Sequence, residues 1–321
     1  MSAPRVAIVG ARRARQGLGP FVARELALAG AEVPGILGTS AASVALAQRD
    51  LRERAGLDAR GYVDLDLLCE REKPDALAVL SPFETHEAYL EQALARGLHV
   101  LCEKPLVWGG AGVAERTRRL AEEFARRRLV LAENCQWPFA LAAFRELHPR
   151  ALDGGVRTFS MHLQPSQGGA RMLPDCLPHP LSLLQALAPG DDARVEAPRL
   201  ATTPPGELEA ARALELEFVY RAGAARVEAR IDLVAGDEIP RRAGFGVNGC
   251  LAERLVKASD YSLCLAAGSR WVDLPDPLRG VIRAFVSELR GGEEVATRAR
   301  EIARRAAMLE ALAHAAQGAN R

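Results

Sequence analysis

The sequence predicts an α/β protein with two sheets, a doubly wound parallel sheet followed by an antiparallel or mixed sheet. Up to about residue 132, short apolar runs alternate with segments of helical period, as in parallel sheets with right-handed crossovers. After that point, longer runs with partial alternation follow one another through turns, which is typical of antiparallel sheets. The chain has 321 residues, 49% of them hydrophobic, and this length suits two domains with separate cores.

The first part contains five predicted strands, each a short apolar run. They cover residues 5–10, 32–37, 75–80, 99–102 and 129–132. The predicted helices cover residues 21–29, 41–54, 85–96 and 111–128. Gly30 and Gly97 stand where two of these helices should end. We therefore place a first domain at residues 1–132.

The second part, residues 133–321, has strand-like segments that turns connect. The predicted strands cover residues 156–163, 214–220, 225–234 and 262–265. Two helices are predicted, at 181–187 and from about 295 to 317, and the Pro/Gly-rich stretch 198–206 is predicted to be a surface loop. We assign this part to a second domain.

Composition argues against several classes of partner and compartment. The formal net charge is +1, from 42 basic and 41 acidic side chains, so bulk charge favours neither nucleic acid nor a membrane surface as a partner. The chain has no apolar run of about 18 residues, and it starts directly into a strand-like segment, so we expect neither a membrane span nor a signal peptide. The six scattered cysteines lack a Cys-x-x-Cys pair and predict reduced thiols in a cytoplasmic protein.

A glycine-containing loop follows the first predicted strand. Its sequence, GARRARQGLG, runs from Gly10 to Gly19 and includes Gly17 and Leu18. Glycines let the backbone approach phosphates, and a following helix N-terminus adds exposed N–H groups, so the loop could hold a pyrophosphate. The usual G-x-G-x-x-G spacing is absent, and a plain tight turn is the alternative.

The end of the second predicted strand indicates which dinucleotide this loop would hold. An Asp or Glu in this region binds the ribose 2′-hydroxyl in NAD-preferring sheets, but here Thr39 and Ser40 stand there without an acid. Hydroxyls can donate to a 2′-phosphate, and Arg12 and Arg13 could pair with it. The alternative is that these arginines are solvated loop charges. The pattern favours NADP over NAD.

Three segments together resemble the Gfo/Idh/MocA family of NAD(P)-dependent oxidoreductases. They are the glycine loop, SPFETHEAYLEQALARGLHVLCEKPL at 81–106 and DCLPHPLSLL at 175–184. The resemblance implies an N-terminal Rossmann domain and a C-terminal α/β domain with a large, open, mostly antiparallel sheet. It also implies that this sheet forms the contact in a homodimer or homotetramer.

The resemblance implies roles for residues in the two later segments. The lysine of the family's Glu-Lys-Pro motif corresponds to Lys104, which would bind the substrate oxygen, and the Asp-x-x-x-His pattern corresponds to Asp175 and His179. His179 would be the general acid/base, and Asp175 would orient the substrate or tune the imidazole. The 81–106 segment places further residues beside the cofactor: Ser81, Pro82, His86 and Glu103.

Two features of the 175–184 segment depart from the family pattern. Ser182 stands where the family often has a second acid, which could change the hydroxyl that is recognised. Pro178 and Pro180 flank His179, so the helix could begin only there and misplace Asp175.

Three residues after the last strand of the first part are candidate substrate contacts: Asn134, Gln136 and Trp137. Loop or interface roles are the alternative for the two amides, and simple packing is the alternative for the tryptophan. None of the six histidines forms a two-His motif with metal-ligand spacing, so we expect no metal.

The sequence thus predicts an enzyme that transfers hydride between NAD(P) and a hydroxyl or carbonyl carbon of a sugar, a cyclic polyol or a derivative. One alternative is a reductase of an imine, an enone or a tetrapyrrole-type substrate. Another is a non-catalytic NAD(P)-sensing regulatory protein. The presence of Lys104, Asp175 and His179 together argues against the sensor, because a sensor needs none of them.

Overall fold

The computed structural model describes residues 2–12, 18–257, 262–291 and 295–318, and the chain divides into two compact units. The first unit comprises Met1–Asn134 and Leu278–Ile302, and the second comprises Cys135–Pro277 and Ala303–Arg321. The segment Leu278–Ile302, which we predicted to lie in the second domain, therefore packs with the first unit. The separate functions of the two units stay a prediction.

The first unit contains a six-stranded sheet with the order β3-β2-β1-β4-β5-β6, and every neighbouring pair is parallel. The strands are β1 (Val6–Val9), β2 (Gly35–Leu37), β3 (Arg60–Tyr62), β4 (Ala76–Val79), β5 (His99–Cys102) and β6 (Leu131–Glu133). Both faces of the sheet are covered: Ala7 and Val9 belong to one buried apolar cluster, whereas Val6 and Ile8 belong to another. This arrangement confirms the predicted doubly wound fold.

Helices connect these strands and cover the sheet. They are α1 (Leu18–Leu28), α2 (Ala41–Ala55), α3 (Leu65–Glu72), α4 (His86–Arg96) and α5 (Val113–Arg126), with α9 (Pro277–Leu289) and the start of α10 (Val295–Gly318) from the C-terminal part. The ends of α2 and α4 are the left-handed Gly56 and Gly97, where glycine adopts a positive φ without strain.

The sequence analysis missed β3 and α3. The strand β3 is short and mostly exposed at the edge of the sheet, so it lacks the apolar run that marks a buried strand. The helix α3 does carry a start signal, because the side chain of Asp64 accepts a hydrogen bond from the backbone N–H of Leu67 at 3.0 Å.

The second unit is built on an eight-stranded sheet with the order β14-β13-β12-β11-β7-β10-β9-β8. Only the pair β7 and β10 is parallel, so the prediction of a large, mostly antiparallel sheet is confirmed. The strands are β7 (Thr158–Leu163), β8 (Arg194–Thr203), β9 (Ala213–Ala222), β10 (Ala225–Val234), β11 (Ala243–Val247), β12 (Cys250–Val256), β13 (Leu263–Ala267) and β14 (Arg270–Leu274). Its helices include α6 (Leu141–Leu147), α7 (Met172–Cys176) and α8 (Pro178–Leu187).

The prediction of a surface loop at 198–206 is wrong for residues up to Thr203, which belong to β8. This strand lies at the edge of the sheet, and its pairing with β9 is irregular between Glu196 and Arg199. Proline is tolerated at sheet edges and bulges, so Pro198 does not end the strand there.

Two glycines in β11 lie beneath side chains of the neighbouring strands. Gly244 pairs with His162 on β7 and with Glu253 on β12, and these two side chains meet above it with an Nε2–Oε2 distance of 2.9 Å. A Cβ atom at Gly244 would lie 2.6 Å from His162 and 2.8 Å from Glu253. The cross-strand contact between His162 and Glu253 therefore depends on the absence of a side chain at this position.

The same face of the sheet carries exposed apolar residues toward one edge. Leu251, Glu253 and Leu255 are alternate residues of β12, so their side chains lie on one face of the sheet. Ala266 on β13 pairs with Glu253 and also with Trp271 on β14, so Trp271 lies on the same face. The exposed fractions of Leu251, Leu255 and Trp271 are 59%, 49% and 57%.

The helices and the cysteines relate to the predictions made from composition. Across the described ranges, we find no helix whose length and apolar character would let it cross a membrane. None of the six cysteines, all of which are described, is joined in a disulfide within the described part of the chain.

Candidate functional site

The turn between β1 and α1 is built so that backbone segments approach closely. Gly10 has a φ of +76°, and a Cβ atom there would lie 2.8 Å from the backbone of Ser81. In the first turn of α1, a Cβ atom at Gly19 would lie 1.9 Å from the carbonyl oxygen of Ala11. Only glycine fits at either position, as the predicted phosphate-binding role requires. The predicted residues Arg13 and Gly17 lie outside the described residues.

A cavity of about 290 Å³ opens beside this turn, at the carboxyl ends of β1, β2 and β4. Its lining includes five of the predicted cofactor residues: Gly10, Arg12, Thr39, Ser81 and Pro82. Among the described residues, those that line the cavity include no Asp or Glu. A concave site at the carboxyl ends of parallel strands is where sheets of this kind bind nucleotides.

Ser40 has a local structural role instead. It is the N-cap of α2, where its hydroxyl oxygen accepts from the backbone N–H of Ser43 at 3.2 Å and its own N–H donates to the Ser43 hydroxyl oxygen at 3.1 Å. Ser43 lines the cavity, and Ser40 is not among the lining residues. Sequence analysis missed Ser43 and also Tyr89, another lining residue, because both lie within helical periods that carry no ligand-specific signal.

The Glu-Lys-Pro segment follows β5 directly. Glu103 still hydrogen-bonds the sheet, since its N–H donates to the Val79 carbonyl at 2.9 Å, and its side chain is only 4% exposed. Pro105 is buried, and the peptide bond that precedes it is cis. Lys104 is partly exposed between these two buried residues. The lysine side chain is therefore the accessible part of this strand end.

Asn134 lies at the end of the neighbouring strand β6 and donates its amide N–H to Glu103 Oε1. Because a carboxylate only accepts, this contact sets the orientation of the amide. Asn134 is 5% exposed, and its Oδ1 atom is buried without a hydrogen-bond partner among the described residues. In the structure the amide supports Glu103, and a contact of Asn134 with substrate stays a prediction.

Burial and two nearby carboxylates affect the thiol at the end of β5. Burial raises the pKa of Cys102 well above its ordinary value, and the nearby Glu103 and Glu133 raise it further. The thiol is fully buried. Cys102 is therefore a packing residue rather than a nucleophile.

His86, at the start of α4, is also buried, with 1% of its surface exposed. Its Nδ1 lies 2.8 Å from the Pro105 carbonyl oxygen and its Nε2 lies 2.8 Å from the Ser81 carbonyl oxygen. His86 does not line the cavity but holds two segments around it.

In the second unit, Asp175 lies in α7 and His179 lies in the first turn of α8. The intervening Leu177 has helical dihedral angles, with φ −63° and ψ −29°, so the backbone keeps the helical spacing between the two side chains. Both are partly exposed among buried neighbours. The prolines thus leave the two residues one helical turn apart.

Ser182 stands where the family often has a second acid, but it is buried and does not present an accessible polar group there. It is 3% exposed, and its hydroxyl donates to the His179 carbonyl oxygen at 2.8 Å. The hydroxyl therefore supports the backbone that carries His179.

The two remaining predicted substrate residues have different environments. Trp137 is 3% exposed; its ring packs edge-on against Phe245, and the Arg254 guanidinium lies 5.5 Å from the ring centroid. The ring is therefore a core residue of the second unit. Gln136 is partly exposed at the start of a 3₁₀ turn, and its contact with substrate stays a prediction.

The first unit thus has the architecture of a dinucleotide-binding protein. Residues 4–134 match the family model described as "Oxidoreductase family, NAD-binding Rossmann fold", which confirms the resemblance of this part of the chain to the Gfo/Idh/MocA family. The chain is 32% identical over 181 residues to inositol 2-dehydrogenase of Paracoccus denitrificans. The match covers 54% of this chain and 52% of that relative, so the chain spans about half the length of the relative.

Solved structures with low sequence identity share the fold of the whole chain. UDP-N-acetylglucosamine 3-dehydrogenase GnnA from Acidithiobacillus ferrooxidans is 21% identical, with a TM-score of 0.70 and full coverage of both chains. A lysine-to-alanine mutant of KijD10, a 3-ketoreductase from Actinomadura kijaniata, solved with TDP-benzene and NADP, is 20% identical, with a TM-score of 0.70 and 97% coverage of both chains. These similarities show the same fold.

Proposed function

We propose that this protein is an NAD(P)-dependent oxidoreductase that acts on a hydroxyl or carbonyl carbon of a sugar, a cyclic polyol or a related derivative. The observation that carries the proposal is the position of Lys104. This partly exposed residue follows β5, in the same parallel sheet whose β1–α1 turn and strand ends form the nucleotide-type cavity. The names of the relatives, which act on inositol or nucleotide-linked sugars, support this class of substrate.

The residues present fit a dinucleotide, which would supply the hydride acceptor or donor. The cavity, which Gly10 lines, would hold it, and the N-terminus of α1 at Gly19 would offer backbone N–H groups to its phosphates. Lys104 would bind the substrate oxygen and stabilise negative charge that develops there. His179 would take the proton from a hydroxyl during oxidation or return it during reduction, and Asp175 would orient the substrate or the imidazole.

We infer that NADP is the preferred coenzyme. Arg12, Thr39 and Ser43 line the cavity, and no acid belongs to its lining in the described part of the chain. At Gly38, directly after β2, a Cβ atom would lie 2.8 Å from Val44 and 2.9 Å from the Ser43 hydroxyl, so the position has little room for an acidic side chain. Both observations support a site that accepts a 2′-phosphate.

Fluorescence titration with NADPH and NADH tests this preference. We expect NADPH to bind the parent protein at least tenfold more tightly, about 1.4 kcal/mol. Thr39→Asp should weaken NADPH binding through charge repulsion while leaving NADH binding similar or stronger. Thr158→Asp, on β7 of the second unit, adds the same charge away from the cavity and should change neither affinity. Tighter binding of NADH than of NADPH by the parent protein would overturn the inference.

The catalytic role proposed for Lys104 is tested with a panel of substrates and one substitution. The panel contains myo-inositol, UDP-N-acetylglucosamine, simple sugars and sugar acids, each with NADP+ or NAD+ and monitored by the absorbance of the reduced coenzyme. Lys104→Ala should retain coenzyme binding and lose turnover about 100-fold or more, since it removes a charge-stabilising contact. Lys257→Ala, which removes a lysine that pairs with Asp273 in the second unit, is the control. Equal turnover by Lys104→Ala and the parent protein would refute the role of Lys104.

A further inference from the structure

His86 connects the segments that follow two neighbouring strands of the first sheet. Ser81 follows β4 and lines the nucleotide-type cavity, whereas Pro105 follows β5 and is the residue after Lys104. The imidazole lies between their carbonyl oxygens, with both N···O distances at 2.8 Å. A single buried ring therefore ties the wall of the cavity to the segment that carries the lysine.

This connection continues to the glycine turn. The backbone of Ser81 lies so close to Gly10 that a Cβ atom there would be 2.8 Å away from it. A displacement of Ser81 would therefore change the turn beside β1 as well as the contact with His86. The arrangement gives a continuous path of short contacts from Gly10 through Ser81 and His86 to Pro105.

The chemistry of the two contacts determines where the ring carries hydrogen. A carbonyl oxygen accepts hydrogen bonds and cannot donate them, so each ring nitrogen must donate for both contacts to be favourable. A neutral imidazole has only one N–H, and its other nitrogen would direct a lone pair at a carbonyl oxygen. His99 shows the contrasting case, because its Nδ1 accepts from the Val130 N–H at 2.8 Å and therefore carries no hydrogen.

We propose that His86 is a positioning residue for Lys104, and that its imidazole donates from both nitrogens to hold the segments after β4 and β5 together. The proposal rests on the catalytic role proposed for Lys104. The ring touches neither substrate nor coenzyme in this role. It acts through Pro105, and its loss would displace the lysine amine from the position in which it meets the substrate oxygen.

The first test measures the hydrogens on the ring and does not depend on activity. Long-range ¹⁵N–¹H NMR spectra of histidine-labelled protein distinguish a ring with two N–H groups from either neutral tautomer. The His86 signals are assigned by substituting the other histidines one at a time. At neutral pH we expect hydrogens on both nitrogens of His86. A ring with one unprotonated nitrogen would overturn the proposal, because it could not donate to both carbonyls.

The second test is a double-mutant cycle on the substrate that the panel identifies. His86→Gln should lower kcat by up to about 100-fold, the scale of a small misplacement of a reacting group. In a Lys104→Ala background, the same substitution should change kcat less than twofold, because the residue through which it acts is gone. Independent, multiplicative losses would overturn the proposal.

His148→Gln is the matched control, since His148 contacts one carbonyl oxygen, that of Leu251, at 2.8 Å in the second unit. It should leave kcat within twofold of the parent value. If His86→Gln does not fold, the NMR measurement on the parent protein still decides the proposal. If no substrate of the panel reacts, the proposed function fails, whereas the NMR result continues to test the paired donation by His86.

Discussion

The partial burial of His99 in β5 makes the stability of the protein depend on pH. Burial lowers the pKa of this imidazole below its ordinary value of 6.5, and the charge of Asp75 offsets part of the effect. The neutral ring accepts a hydrogen bond from the Val130 N–H at 2.8 Å. The folded protein therefore favours the neutral form, and the unfolded chain takes up a proton first as the pH falls.

The free energy of unfolding should consequently decrease as the pH falls through 6.5 toward the lower pKa of the folded state, and His99 should impose no such loss at higher pH. His99→Asn can still accept from Val130 but does not titrate near neutrality. We expect urea unfolding of this variant to lose less stability between pH 7.5 and 5.5 than unfolding of the parent protein. The same loss in both proteins would show that His99 does not contribute.

At the scale of single residues, local spacing in the sequence marks Gly10, Gly19 and the segment around Lys104, and their binding roles stay predictions. Sequence could not distinguish Ser40, which caps α2, from Ser43, which lines the cavity, since both are serines near one helix start. Similarly, Asn134 and Trp137 are candidate substrate contacts from the sequence, and their burial results from tertiary packing that no local pattern shows.

At the scale of elements, an ion pair attaches α9 to α1 within the first unit. The Arg279 guanidinium contacts both carboxylate oxygens of Glu25, at 2.8 and 3.2 Å. Glu25 is only 1% exposed, so its carboxylate depends on partners within the protein. This contact joins segments 254 residues apart in sequence, and no local pattern predicts it.

Arg279→Leu should destabilise the protein by roughly 1–3 kcal/mol, because it leaves a buried carboxylate with fewer hydrogen bonds. Arg118→Leu is the control, since Arg118 pairs with Glu115 and Glu122 on the exposed surface of α5, where ion pairs contribute little. The measurement is urea unfolding of both variants at pH 7.5. Equal stabilities of Arg279→Leu and the parent protein would refute the role of the pair.

The elements that sequence analysis found or missed differ in how much they are buried. The buried parallel strands β1, β4 and β5 are continuous apolar runs and were predicted nearly in full. The strand β11, with the sequence AGFGV, was missed because its glycines resemble a turn.

At the scale of the whole molecule, the resemblance predicts that the sheet of the second unit forms a contact between copies of the chain. The exposed Leu251, Leu255 and Trp271 on one face of this sheet suit such a contact, because large exposed apolar groups favour association. The oligomeric state stays a prediction.

Trp271→Glu should shift the molar mass in solution toward that of a single chain of 34.5 kDa, since it places a charge in the apolar face. Light scattering coupled to size-exclusion chromatography measures this mass. Ile239→Glu, at an apolar residue that is 89% exposed and lies outside the strands of the sheet, is the control. An unchanged oligomer in Trp271→Glu would exclude this face as the contact.

The glycines of β11 have a consequence for how the second sheet assembles. Phe245 alternates with Gly244 and Gly246, so a shift of this strand by one residue would turn the phenyl ring toward the space where His162 and Glu253 now meet. It would also leave a hollow in the interior that the ring now fills beside Trp137 and Phe144. Misaligned pairing of β11 is thus penalised twice, once by the collision of the ring with these side chains and once by the empty space that it would leave.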